Sequence, residues 1–165
     1  MNARLPRWVS LAQPVGVRSC RDFQGGVGEG GSWQWVGHPH AVIHDLRVMA
    51  GGLTDLEFTM LRAELKGRMG RAARGELNLQ RGVDRAEVVQ CRRQERVLEL
   101  RLEDRQERPP GCERWKVRFY YSEPAHERGV LLALSVKAKV GGQSGLDDQN
   151  RHMDEASRRL DAHYE

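Results

Sequence analysis

The chain reads as an α+β domain: an antiparallel sheet of about four strands packed by an N-terminal helical hairpin and a C-terminal helix. Three observations predict it. Thr54 and Glu57 form a helix-opening capping box, three strand-like runs follow one another between positions 96 and 140, and residues 147 to 162 carry a helical apolar stripe. The length of 165 residues, 39% apolar and 30% charged, suits one domain with appendages. Such a domain buries about 65–70% of its unfolded surface and needs no disulfide staples.

Residues 1–31 crowd Gly25, Gly26, Gly28, Gly30 and Gly31 together without an apolar period, which predicts a flexible arm ahead of a domain spanning 32–165. Gly26, Gly28 and Gly31 also fit GxGxxG. No strand precedes them and no long helix opens from them, so the fit is not a dinucleotide fingerprint. Trp33 and Trp35 alternate with other residues up to Gly37 and predict a short strand. Pro39 then opens a helix whose stripe of Ile43, Leu46, Val48 and Met49 stops at Gly51 and Gly52. The capping box starts the next helix, with Leu56, Met60, Leu61 and Leu65 as its stripe before Gly70. The short connection between the two predicts an antiparallel hairpin.

Residues 71–95 form a basic connection, in which positions 86–91 fit a short strand or an extended approach. The runs RVLELRLE, RWKVRFYY and GVLLALSVKAKV follow. The first two alternate with period 2, and turns rich in Pro, Gly and Ser separate all three, which predicts an antiparallel meander. The final helix is signalled by Ser144 and Asp147, with Leu146, Met153, Ala156 and Leu160 as its stripe.

The net charge of +4 conceals a gradient: residues 91–139 hold twelve Lys and Arg against eight Asp and Glu, while residues 140–165 hold three against six. The basic segment suits a polyanion if the strands gather its cations on one face. The same cations equally suit a solvated face of mixed ion pairs. Cys20, Cys91 and Cys112 are odd in number and widely spaced, which predicts neither a disulfide framework nor a thiolate zinc site and places the chain in the reducing cytoplasm. The most apolar run, VLLAL at 130–134, is too short to span a bilayer, and no secretion signal is expected. His38, His40 and His44 have a loose metal-ligand spacing interrupted by Pro39 and read as surface or capping histidines.

In the first meander strand Leu98, Leu100 and Leu102 share one face, opposite Val97, Glu99, Arg101 and Glu103. In the second, Trp115, Val117, Phe119 and Tyr121 oppose Lys116, Arg118 and Tyr120. With the apolar faces buried against the hairpin, Arg101, Lys116, Arg118 and Tyr120 are expected on an exposed sheet face, joined by Lys137 and Lys139. That face reads either as a solvated surface pairing with Glu99 and Glu103, or as a phosphodiester site. His152 or His163 on the last helix is a further candidate for proton transfer.

The order strand, helix, helix, meander and helix resembles the RelE/ParE toxin superfamily, particularly its HigB-like and phage-derived members. Glu99-Leu100-Arg101, then Trp115-Lys116-Val117, then LLALSVKAKV and a helix ending ASRRLDAHY carry the resemblance over residues 33–164. It implies the toxin of a type II toxin–antitoxin system: a cytoplasmic endoribonuclease that cuts mRNA, often on the ribosome, needs no metal or other cofactor, and is neutralised by an antitoxin. Arg101 would then hold the scissile phosphate, Lys116 would stand in for the family's arginine, and Tyr120 would assist proton transfer. Lys137 and Lys139 would lie at the basic turn that contacts RNA, with Arg92, Arg93, Arg96 and Arg118 as further RNA contacts. The implied reaction is attack of the ribose 2′-OH on the adjacent phosphate, which RNA permits and DNA does not. The ParE branch shares the scaffold and inhibits DNA gyrase without cutting RNA, so a non-catalytic toxin or phage protein acting on a host protein is the alternative.

Overall fold

The computed structural model describes residues 30–37, 40–77, 88–91, 96–103, 115–124, 126–139 and 143–165. The flexible arm expected over residues 1–31 lies almost wholly outside them. In chain order the elements are β1 (Ser32–Trp35), α1 (Ala41–Ala50), α2 (Asp55–Ala73), β2 (Val88–Gln90), β3 (Leu98–Glu103), β4 (Lys116–Ser122), β5 (Val130–Ala138) and α3 (Gln143–Tyr164). The fold is α+β, and the three meander strands pair antiparallel in the order in which the sequence presents them.

The sheet departs from the expected antiparallel four-strand arrangement. It has five strands in the order β1-β5-β4-β3-β2, and it is mixed because β1 runs parallel to β5. The cause lies at the entry to β1. Gly30 has φ 70 and Gly31 φ 151, and a Cβ on them would lie 2.3 Å from the Ala73 and Gly129 carbonyl oxygens respectively. Only glycine passes between these backbones. The Gly31 amide donates to Ala73 O (2.9 Å) and the Ser32 amide to Gly129 O (2.8 Å), which launches β1 beside the start of β5 and in the same direction.

One face of the sheet holds the larger core, built by Trp33, Leu98, Leu100, Val117, Phe119 and Tyr121 with Leu61, Leu65 and Met69 of α2 and Val42 and Leu46 of α1. Trp33 packs edge-on against Phe119 and Tyr121 at centroid distances of 5.5 and 5.3 Å, and its indole N–H donates to Met69 O near the end of α2. The capping box forms as the sequence predicts: Thr54 Oγ1 accepts from the Glu57 amide, and the Glu57 carboxylate accepts from the Thr54 amide. The two helices each pack on the sheet, α1 on β5 and α2 on β3.

Two expected stripes are rotated. In α1 the inward positions are Val42, Asp45 and Leu46, with Val48 65% exposed. In α2 Leu56 is 67% exposed, and the buried face runs from Leu61 through Gly70 to Ala73. Both helices follow the i, i+3, i+4 spacing set by contact with the sheet.

The second face of the sheet is covered, contrary to the expectation of an open one. Helix α3 starts at Gln143, earlier than the sequence suggests, and packs on β4 and β5. Its Met153, Ala156 and Leu160 form a second core with Val36, Val97, Tyr120, Leu132 and Leu134. Leu146, assigned to the same stripe, is instead 55% exposed. Among the described residues no helix is long and apolar enough to cross a membrane.

A carboxylate joins the layers. Strand β1 pairs with β5 only as far as Ala133, and β5 then bulges: Tyr121 faces Ala133 and Tyr120 faces Ser135, leaving Leu134 as an extra residue. Beyond the end of β1, buried Asp45 of α1 accepts from the Val136 amide (3.1 Å), Ser135 Oγ (3.1 Å), Lys137 Nζ (3.0 Å) and Arg159 Nη1 (2.8 Å). Arg159 also donates to the carbonyl of Leu134 (2.8 Å), and both cations reach Glu155. Burial pushes the Asp45 carboxyl up, but hydrogen bonds from Arg159 and Lys137, and their charges, hold it below its ordinary value.

Replacing Asp45 with Ala leaves a strand-edge amide without its acceptor and Glu155 alone to balance two cations, and is expected to cost about 3–5 kcal/mol, read by urea unfolding. With the gentler Asp45→Asn variant, the stability gap to wild type is full above the carboxyl's ordinary value of 3.8 and shrinks as pH falls below it.

Candidate functional site

The register of the three central strands sets cations opposite one another. Arg101 of β3 faces Arg118 of β4, which faces Lys137 of β5. In the next row Glu103 faces Lys116, and the amide of Lys139 donates to Lys116 O (2.7 Å), which carries the pairing one residue beyond β5. All five cations lie on the α3 face, at the end of the sheet where β3 and β5 finish and β4 begins. Like charges placed directly opposite destabilise a sheet unless something compensates them.

Glu99 compensates part of the array from within. Its buried carboxylate accepts from Arg101 Nε (3.1 Å) and from Gln149 Nε2 of α3 (2.6 Å), and it lies 3.3 Å from Arg118 Nε. Arg118 reaches Glu103 at 3.5 Å and donates to the Val117 carbonyl (3.2 Å). Lys137 is spoken for by Asp45 and Glu155. Lys116 and Lys139, by contrast, have no carboxylate paired to them among the described residues. Burial lowers the Lys139 amine below its ordinary value, and the charges of Arg118, Arg101 and Lys116 add to the effect, while Glu99 opposes it.

Beside this array lies a cavity of about 820 Å³ between α1, the start of α3 and the strand ends. Lys116, Lys137, Lys139, Arg151 and His152 line one side of it; Val48, Met49, Leu53, Trp115 and Val136 line the other. Burial, followed by the charge of Lys137, lowers the His152 imidazole below its ordinary 6.5, which favours its neutral form. His152 and Lys139 also line the small cleft over Arg118 and Tyr120, so the two groups face the same space.

The structure thus brings together Arg101, Lys116, Arg118, Lys137 and Lys139, and His152 joins them from α3. It does not give Tyr120 an open position. The ring is fully buried under α3, its hydroxyl has no hydrogen-bond partner among the described residues, and burial and the Glu99 charge push the phenol upward. A phenol so placed offers no open surface to a ligand, unlike the exposed position expected for it. Arg118 is likewise 4% exposed, held against Glu99.

Arg96 lies just before β3, at the other end of that strand, and pairs with Asp161 (2.8 Å). Arg92 and Arg93 lie outside the described residues. His163 stacks edge-on with Tyr164 at the far end of α3. His40 caps α1 at φ 25, His44 lines the groove, and His38 lies outside the described residues. No group of three or more His, Cys, Asp or Glu among the described residues is arranged to hold a metal ion. Cys91 is buried, and burial and Glu99 push its thiol up to about 12, which leaves it inert as a nucleophile.

Asp45, Gln149 and the clamping role of Glu99 were not singled out from the sequence. Asp45 had a signal: it sits three residues after Val42 and immediately before Leu46, a core position for a charged side chain. No family model matches the chain, and no curated protein or solved structure matches it.

Because the Glu99 charge raises the Lys139 amine while three neighbouring cations lower it, Glu99→Gln is expected to lower that amine further. An NMR titration of the Lys139 side chain reads the direction; a rise on substitution contradicts the arrangement of charges described.

Proposed function

We propose that the chain is the toxin of a type II toxin–antitoxin pair, a metal-independent endoribonuclease of the RelE/ParE kind in its HigB-like, phage-derived branch. It cuts mRNA, with the translating ribosome as the setting and a cognate antitoxin as the partner that restrains it. The observation that carries this reading is the row Arg101, Arg118, Lys137 backed by Lys116 and Lys139. A polyanion neutralises the repulsion stored in that array.

The reaction these residues fit begins with the ribose 2′-OH attacking the adjacent phosphorus. Neutral His152 takes the hydroxyl proton. Arg101, whose Nε is held by Glu99, presents its terminal nitrogens to the non-bridging oxygens, and Lys116 adds a second charge as the pentavalent phosphorane forms. The bond from phosphorus to the 5′-oxygen breaks. That oxygen takes a proton from the Lys139 ammonium, made more acidic by its surroundings. The products are a 2′,3′-cyclic phosphate and a 5′-hydroxyl, and the two proton carriers end with their charges exchanged. Lys137 holds the framework through Asp45 and Glu155.

The burial of Tyr120 favours a second reading, in which the same surface binds a host protein such as DNA gyrase and cuts nothing. Mapping new RNA 5′ ends minutes after induction separates the two. Ends produced by wild type and reduced about a hundredfold or more in an Arg101→Ala, Lys116→Ala variant support the nuclease. Intact transcripts with DNA strand breaks support the second reading. For purified nuclease, the rate is expected to rise with pH through a value below 6.5 as His152 loses its proton, and to fall through a value below 10.5 as Lys139 loses its own.

A further inference from the structure

We infer that the groove beside the cation array is a nucleobase pocket: it takes one base of the RNA, unstacked from its neighbours, while the attached phosphate lies on Lys116 and Lys139. The inference rests on reading the strand ends as a phosphodiester site, and it adds what lies next to the phosphate. Its volume, about 820 Å³, falls within the range of roughly 300–1,000 Å³ typical of small-molecule sites.

The chemistry of its two sides differs in the way a nucleotide requires. On the α1 side Val48 is 65% exposed, and it adjoins Met49, Leu53 and the half-buried Trp115. These present apolar surface and the indole of Trp115 to the cavity, suited to the flat face of a base. Around the groove, on α1, α2 and α3 alike, each carboxylate of the lining already has a partner. Asp45 and Glu155 hold Lys137 and Arg159, Asp148 holds Arg151, and Glu57 closes the capping box. Lys116 and Lys139 stand apart from these pairs, so the charge left for a ligand is positive and sits at one end of the groove. An apolar ligand fails to satisfy that end, and free phosphate leaves the apolar wall wet. A nucleotide meets both.

The direct probe is adenosine 5′-monophosphate against ribose 5-phosphate, titrated calorimetrically into the full chain at low salt. The two carry the same phosphate chemistry and differ in the base. The nucleotide is expected to bind about tenfold more tightly. Val48→Asp places a charge on the apolar wall at an exposed helix position, where circular dichroism verifies that the fold is kept; it should erase the tenfold difference and leave ribose phosphate binding within about twofold. The Lys116→Ala, Lys139→Ala variant should weaken both ligands by about tenfold.

Equal affinity of wild type for the two compounds overturns the pocket, whether or not the chain cuts RNA. A preference that survives Val48→Asp also overturns it, because the base is then bound elsewhere. Base-dependent binding that Val48→Asp removes, in a chain that leaves transcripts intact, sustains the pocket and overturns the nuclease reading alone.

Discussion

The carboxylate of Asp45 is the constraint on which the other layers rest. A central strand whose neighbour stops halfway, and which bulges at that point, exposes an amide and a carbonyl that water cannot reach once helices cover both faces. Asp45 takes the amide of Val136, and Arg159 takes the carbonyl of Leu134. The two are joined to each other, so one ion pair from α1 and α3 finishes the edge of β5. Packing of both helices follows from the same contact. Removing either charge would leave a backbone group of β5 unpaired and the remaining charges unbalanced in a place of low dielectric.

The cation array has the opposite character. Glu99 and Gln149 restrain it without neutralising it, and the two lysines nearest the strand ends keep their charge open to the groove. The protein therefore holds its paired charge around Arg159, toward the C-terminal end of α3, and its unrelieved charge beside Gln149 and His152, nearer the start of that helix. Sites that bind anions commonly keep such unrelieved charge, since the ligand supplies what the fold withholds.

Much of this was legible in the sequence, and the parts that were not share a cause. The Thr54 and Glu57 box, the two-residue alternation of Leu98 to Glu103 and Lys116 to Ser122, and the co-location of Arg101, Lys116 and Arg118 all follow from local spacing. The parallel pairing of β1 with β5 does not, because it depends on Gly30 and Gly31 meeting backbone from Ala73 and Gly129, which are remote in the chain. Nor does the burial of Tyr120. Its strand alternates cleanly, but alternation says which residues share a face and not whether a helix lies on it. The polar helix α3 covers that face with Met153, Ala156 and Leu160, a stripe that the sequence shows without showing which face of the sheet it meets.

The placement of β5 between β1 and β4 has a bearing on how the chain comes into being. Strand β1 and helix α1 are synthesised ahead of the strand they both lean on, with α2, β2, β3 and β4 in between. Until Val130 to Ala138 emerges, Trp33, Trp35 and Val42 have no sheet to bury against, and the cation rows lack their third column. Folding of this kind waits on contacts distant in sequence and is correspondingly slow. A nascent chain therefore completes its cation rows only once β5 has emerged, and a product truncated before Val130 does not complete them at all.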